Sequence, residues 1–164
     1  MSTMGHAAAA RWGTVRGVRA GWLPAFAAAL SLSAAIAHFG VAAPHYREWW
    51  AHGLFFVVCG ALQTAFAALI LVRPRAWLAL SGIAGTLGIL AMYVYSRTNG
   101  SPIGPHEGVP EAPGLYDMTT AAGELVLVAV LVLMLEDRAR RWAMRLVLLA
   151  AVGLWAAKAM GVLV

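Results

Sequence analysis

Charge is scarce in this chain of 164 residues: only 12% are Asp, Glu, Lys or Arg, against about 25% in soluble domains. With 62% hydrophobic residues and a mean hydropathy of +0.76, the chain cannot cover a fold of this size with polar side chains. A soluble globular enzyme, a disordered tail and a fibre are thereby excluded. Cysteine is almost missing too. Cys59 stands alone, so neither an intramolecular disulfide nor a CxxC pair can form. Also missing are a Walker A sequence, a dinucleotide-binding glycine fingerprint, a serine nucleophile elbow and an HExxH helix. Nucleotide-driven transport by this chain alone is not expected.

What the sequence has instead is apolar length. A bilayer core about 30 Å thick takes about 20 mostly apolar residues per helix, and five segments qualify: 22–41, 49–72, 76–95, 118–135 and 143–164. Pro44 follows the first, Pro74 separates the second and third, and Arg138 to Arg141 precede the fifth. The apolar runs are continuous rather than alternating, which favours helices over the strands of a barrel. The expectation is a single all-α domain over 1–164, an integral membrane bundle of five transmembrane helices with the lipid bilayer as its first partner. The first segment has a second reading. Arg11, Arg16 and Arg19 ahead of an apolar run that ends in Ala35-Ile36-Ala37 also describe a cleaved signal peptide, which would leave four helices. A run long enough to span, with no soluble domain after it, favours a retained helix.

Nine of the twelve basic residues (Arg11, Arg16, Arg19, Arg73, Arg75, Arg138, Arg140, Arg141 and Arg145) fall on one side of these spans, while Arg47 and Arg97 fall on the other. The positive-inside rule then places the N-terminus, with its basic tail 1–21, in the cytoplasm. The net charge of +5 becomes a topology signal, helped by attraction to anionic lipid headgroups, and needs no nucleic acid. Ser81, Gly82, Gly85 and Gly88 on helix three are expected to let helices approach closely. Trp49, Trp50, Tyr93 and Tyr95 suit the membrane interface, and Cys59 suits a small packing position.

The rare polar residues gather on the other side. His38, His45, His52 and His106 lie there, as do Glu48, Glu107, Glu111 and Asp117, while His6 is in the basic tail. Glu124 lies about 10 Å along helix four from Asp117 at about 1.5 Å per residue, on nearly the same face. His38, His52, Glu124 and Lys158 could converge at one depth, where ionisable groups face a bundle interior. Glu124 is read either as the partner of Lys158, locking helix four to helix five, or as a metal ligand, proton carrier or catalytic carboxylate. Neutral imidazoles with a carboxylate suit copper, iron or zinc, and two axial histidines suit a haem. The expected ligand set is His38, His45, His52 and Glu124, with Asp117 or His106 in reserve. Arg97 and Asp117 are expected to form an ion pair, Asp117 to cap helix four, or Arg97 to bind an anionic group. With Glu124 they make up the candidate catalytic set. Gln63 is either interhelical glue or a lining residue. Between helices three and four, residues 97–117 hold four glycines and four of the seven prolines, a connection expected to lie as a lid over the outer mouth of the bundle.

The histidine-bearing end of helix one, the Arg97-Thr98-x-Gly100-x-Pro102-x-Gly104-Pro105 loop, and Asp117 with Glu124 together resemble a group of small bacterial multi-pass membrane proteins. The likeness covers roughly residues 38–124. It implies that the loop and the outer residues belong together, and it carries over no activity. The functional expectation is a small metal- or haem-binding membrane protein with its site open to the extracytoplasmic face and oxidoreductase-like chemistry. Alternatives are an accessory or assembly subunit of a larger membrane complex, and a proton-coupled transporter, working as a homo-oligomer, in which Glu124 is the carrier.

Overall fold

The structure is a computed structural model that describes residues 21–105 and 107–161. His6, Arg11, Arg16, Arg19 and His106 lie outside the described residues. Five helices follow one another: α1 (Leu23–Glu48), α2 (Trp50–Val72), α3 (Ala76–Asn99), α4 (Leu115–Met134) and α5 (Asp137–Ala159). Each is long and apolar enough to cross a membrane. The extended element among the described residues is one isolated bridge between Ser101 and Glu107.

The helix ends differ from the sequence expectation for local reasons. α1 does not stop near Val41 but continues through Pro44 to Glu48. A proline withdraws one ladder donor from the last turn. Just after it, the His45 ring donates from Nδ1 to the Val41 carbonyl at 2.8 Å, a further side-chain bond within the same stretch of helix. α3 runs on to Asn99, with Thr98 Oγ1 donating to the Val94 carbonyl at 2.9 Å, and so carries Arg97 on its last turn. α5 starts at Asp137 rather than at 143, and its first turn is tied by Arg140 Nη2 to Asp137 Oδ1 at 2.6 Å.

α1 packs along α2, α4 packs on both α1 and α3, and α2 meets α3 only sparsely. α5 stands outside this four-helix group and touches only α3 and α4; Ala143 is its one buried residue among those described. The core lies at one end, where α1, α3 and α5 begin and α2 and α4 finish. Ala27, Ile70, Ala79, Leu127, Leu131, Met134 and Leu135 interlock there with next to no exposure. This is the basic end, flanked by Arg73, Arg75 and Arg138. Outward faces carry Leu32, Ile36, Leu62, Leu71, Leu125 and Leu133, as helices facing hydrocarbon should. Of the three glycines Gly82, Gly85 and Gly88 on α3, Gly82 is the contact point: a Cβ there would meet the Phe66 ring at 2.5 Å. Gly85 and Gly88 face open space, because α3 turns its Gly82 face, and not theirs, toward α2 and α4.

Candidate functional site

At the opposite end the four helices do not close. They surround a cavity of about 200 Å³ reached from the side of loop 100–114. α1 contributes His38, Val41 and His45, and α2 contributes His52, Phe55 and Phe56. α3 contributes Met92, Tyr93 and Arg97, and α4 contributes Tyr116, Asp117 and Glu124. Ser101, Pro102, Ile103 and Glu111 complete the wall from the loop, in keeping with its expected place over the mouth.

Glu124 sits deepest and is only 2% exposed. Its Oε1 accepts from Gln63 Nε2 at 2.9 Å and lies 3.3 Å from His38 Nε2. With Glu124 ionised, His38 carries the proton on Nε2 and donates it to the carboxylate. Gln63 is glue rather than lining, since its backbone carbonyl also accepts from Ser31 Oγ on α1 at 2.8 Å. Four polar side chains thus bind α1, α2 and α4 together at mid-height. Gln63 Oε1 stays without a partner among the described residues. The expected tie between Glu124 and Lys158 does not form. α5 lies outside the bundle and Lys158 is exposed on it, so His38 and Gln63 satisfy the carboxylate instead.

The mouth is held by Arg97. Its Nη1 pairs with Glu111 and its Nη2 with Asp117 Oδ2 at 2.9 Å, with the guanidinium 5.2 Å from the centre of the Tyr93 ring. Asp117 also accepts from the Gly114 backbone N–H at 3.1 Å, so it caps α4 and holds Arg97 at once. One fork thereby joins the end of α3, the loop and the start of α4. Glu111 was hidden from sequence reasoning. It is one of several acids in or beside a loop rich in proline and glycine, and only the fold of that loop brings it to Arg97. The loop folds back at Gly100, whose φ of 82° and close approach to Val109 leave no space for a side chain. Gly104 rests on the Trp49 indole, where a Cβ would meet Cε3 at 2.7 Å.

The histidines have separate duties. His38 belongs to Glu124. His45 bonds within the end of α1 and meets Phe56 in a tilted contact, 4.5 Å between ring centres. His52 donates to the loop, with Nε2 at 2.9 Å from Ser101 Oγ and 3.2 Å from the Ile103 carbonyl, and meets Trp49 edge-on. His38, His45, His52 and Glu124 therefore do not form one ligand shell, and among the described residues no three His, Cys, Asp or Glu side chains form a group able to hold a metal ion. Cys59 is a buried free thiol on α2, as a packing residue would be.

Fold and site together define an all-helical chain with five helices able to span a membrane and a polar-floored pocket at one end. No protein family, curated protein or solved structure matches it.

Proposed function

We propose that this is a multi-pass membrane protein, with the N-terminus in the cytoplasm and the loop outside, whose pocket takes up a small, mostly apolar molecule. The His38–Glu124 pair exchanges a proton as that molecule binds. The orientation is supported by Arg73, Arg75, Arg138, Arg140, Arg141 and Arg145, six basic residues toward the end away from the loop. Binding is supported by a concave wall of apolar side chains with a few convergent polar atoms. The proton exchange is carried by one observation: His38 Nε2 and Glu124 Oε1 meet at 3.3 Å, both buried and both on the pocket wall. A proton arriving at His38 Nδ1 lets the Nε2 proton pass to Glu124 Oε1, and the reverse steps release it, so the pair can take up or release one with little rearrangement. Glu124 is then the proton carrier, His38 its relay, and Arg97 with Asp117 and Glu111 the latch of the outer mouth.

The test is calorimetry on the full chain in lipid nanodiscs with a panel of small aromatic alcohols, amines and acids. A solute that binds should give heats that differ between buffers of unlike ionisation enthalpy, and Glu124→Gln should abolish that difference. Binding without proton exchange overturns the carrier role. No binding by any panel member overturns the pocket reading.

A second reading draws on α5, whose Trp142, Leu146, Leu149, Val152 and Trp155 are all exposed although the bundle lies beside them. Such a helix suits an accessory subunit that rests on a partner membrane protein or a second copy. Co-purification with one stoichiometric partner in mild detergent, lost on removal of α5, is its test.

A further inference from the structure

We infer that the molecule the pocket accepts is a small organic cation, a protonated amine on a short apolar or aromatic body. This rests on the reading of the pocket as a ligand site. The charges on its wall are unequal: three carboxylates, Glu111, Asp117 and Glu124, face one guanidinium, Arg97. Arg97 is already divided between Glu111 and Asp117, so the mouth carries one negative charge more than it neutralises. The floor adds Glu124, whose bonded neighbours are an amide and an imidazole rather than a fixed cation. With the wall histidines neutral, His45 donating to the Val41 carbonyl and His52 to Ser101 and Ile103, the pocket between floor and mouth has an excess of negative charge within an apolar surround. In such a place an unlike charge is held more strongly than in water.

The remaining wall favours the same occupant. Phe55, Phe56, Tyr93 and Tyr116 present aromatic surface, and ring faces attract a cation held near them. The cavity of about 200 Å³ is somewhat larger than the engineered cavity of about 150 Å³ that holds benzene, leaving space for a ring and a short polar arm. An anion fits poorly. To reach Arg97 it would have to compete with two carboxylates already paired to both Nη atoms, and Arg97 Nε, though unpartnered, is buried. On the floor an ammonium group or its water would meet the Glu124 carboxylate, the one acidic side chain at that depth of the wall.

The test uses three probes of one shape: benzylammonium, benzyl alcohol and benzoate. Each is titrated into the full chain in zwitterionic nanodiscs, with empty discs as the blank. Benzylammonium should bind about tenfold more tightly than the alcohol, the ratio given by about 1.4 kcal/mol, and benzoate most weakly. Glu111→Gln, a change at a half-exposed side chain, should lower the ratio of ammonium to alcohol affinity several-fold, each probe being compared with its own affinity for the parent protein. If the alcohol binds as tightly as the ammonium, the cation inference fails while the ligand pocket stands. A preference for benzoate also overturns it, with Arg97 as the anchor. If none of the three binds, both the inference and the pocket fall.

Discussion

The same four helices are packed in opposite ways at their two ends. At the basic end Ile70, Leu127, Leu131, Met134 and Leu135 interlock with no polar partner among them. At the loop end the helices stand around an open cavity, and Glu124, His38, Gln63 and Ser31 are tied by hydrogen bonds rather than by close packing. In a bilayer, where the lipid is as apolar as leucine, helix association comes from close fit and from hydrogen bonds between helices. One end of this bundle uses the first and the other end the second. The dry end fixes where the helices stand, which leaves the polar end free to keep a hollow and ionisable groups without coming apart.

The contrast can be broken most strongly by equal truncations at the two ends. Leu131→Ala should cost about 2–5 kcal/mol in unfolding experiments, whereas Ile89→Ala, beside the existing cavity, should cost much less. Equal losses would mean that the loop end is packed as tightly as the other. Next in size is Glu124→Leu, which leaves His38 and Gln63 buried without their acceptor, at about 1–3 kcal/mol for each orphaned group. Glu124→Gln keeps an acceptor oxygen and should unfold closer to the parent in the same assay. Gly82→Ala drives a methyl into Phe66 and Leu131 and should cost about 1–3 kcal/mol. Gly85→Ala, in open space on the same helix, should stabilise by up to about 1 kcal/mol. The smallest effect belongs to Arg97→Lys. A lysine cannot hold Glu111 and Asp117 with one planar fork. Stability should fall by about 1 kcal/mol or less, while cleavage within loop 100–114 under limited proteolysis rises.

How much of this was legible in the sequence follows from what each feature depends on. The five helices are properties of local composition, and their apolar runs declare them. Their ends were less legible, because Pro44 reads as a helix stop and yet α1 carries it within its last turns. Arg97 with Asp117 could be read because both stand at the ends of helices that one loop must join. His38 with Glu124 was legible as a shared depth but not as a pair, since four ionisable residues were candidates for that depth. Which two meet depends on helix neighbours: α1 lies against α4, while α5 lies outside. The histidine cluster shows the same limit. Sequence places His38, His45 and His52 on one side, yet ring direction, set by Glu124, Val41 and Ser101, gives each a different partner.

Between α1 and α2 stands a single residue, Trp49, and the two helices are fused just beyond it. A Cβ on Gly53 would fall 2.5 Å from the Tyr46 backbone, and one on Gly60 would meet the Phe39 ring at 2.9 Å. At about 1.5 Å per residue these helices are about 39 and 34 Å long. They form a hairpin with no slack at its tip, so neither helix can slide or tilt without the other. The hairpin acts as the anvil of the pocket, and any widening of the mouth has to come from α3 and its loop.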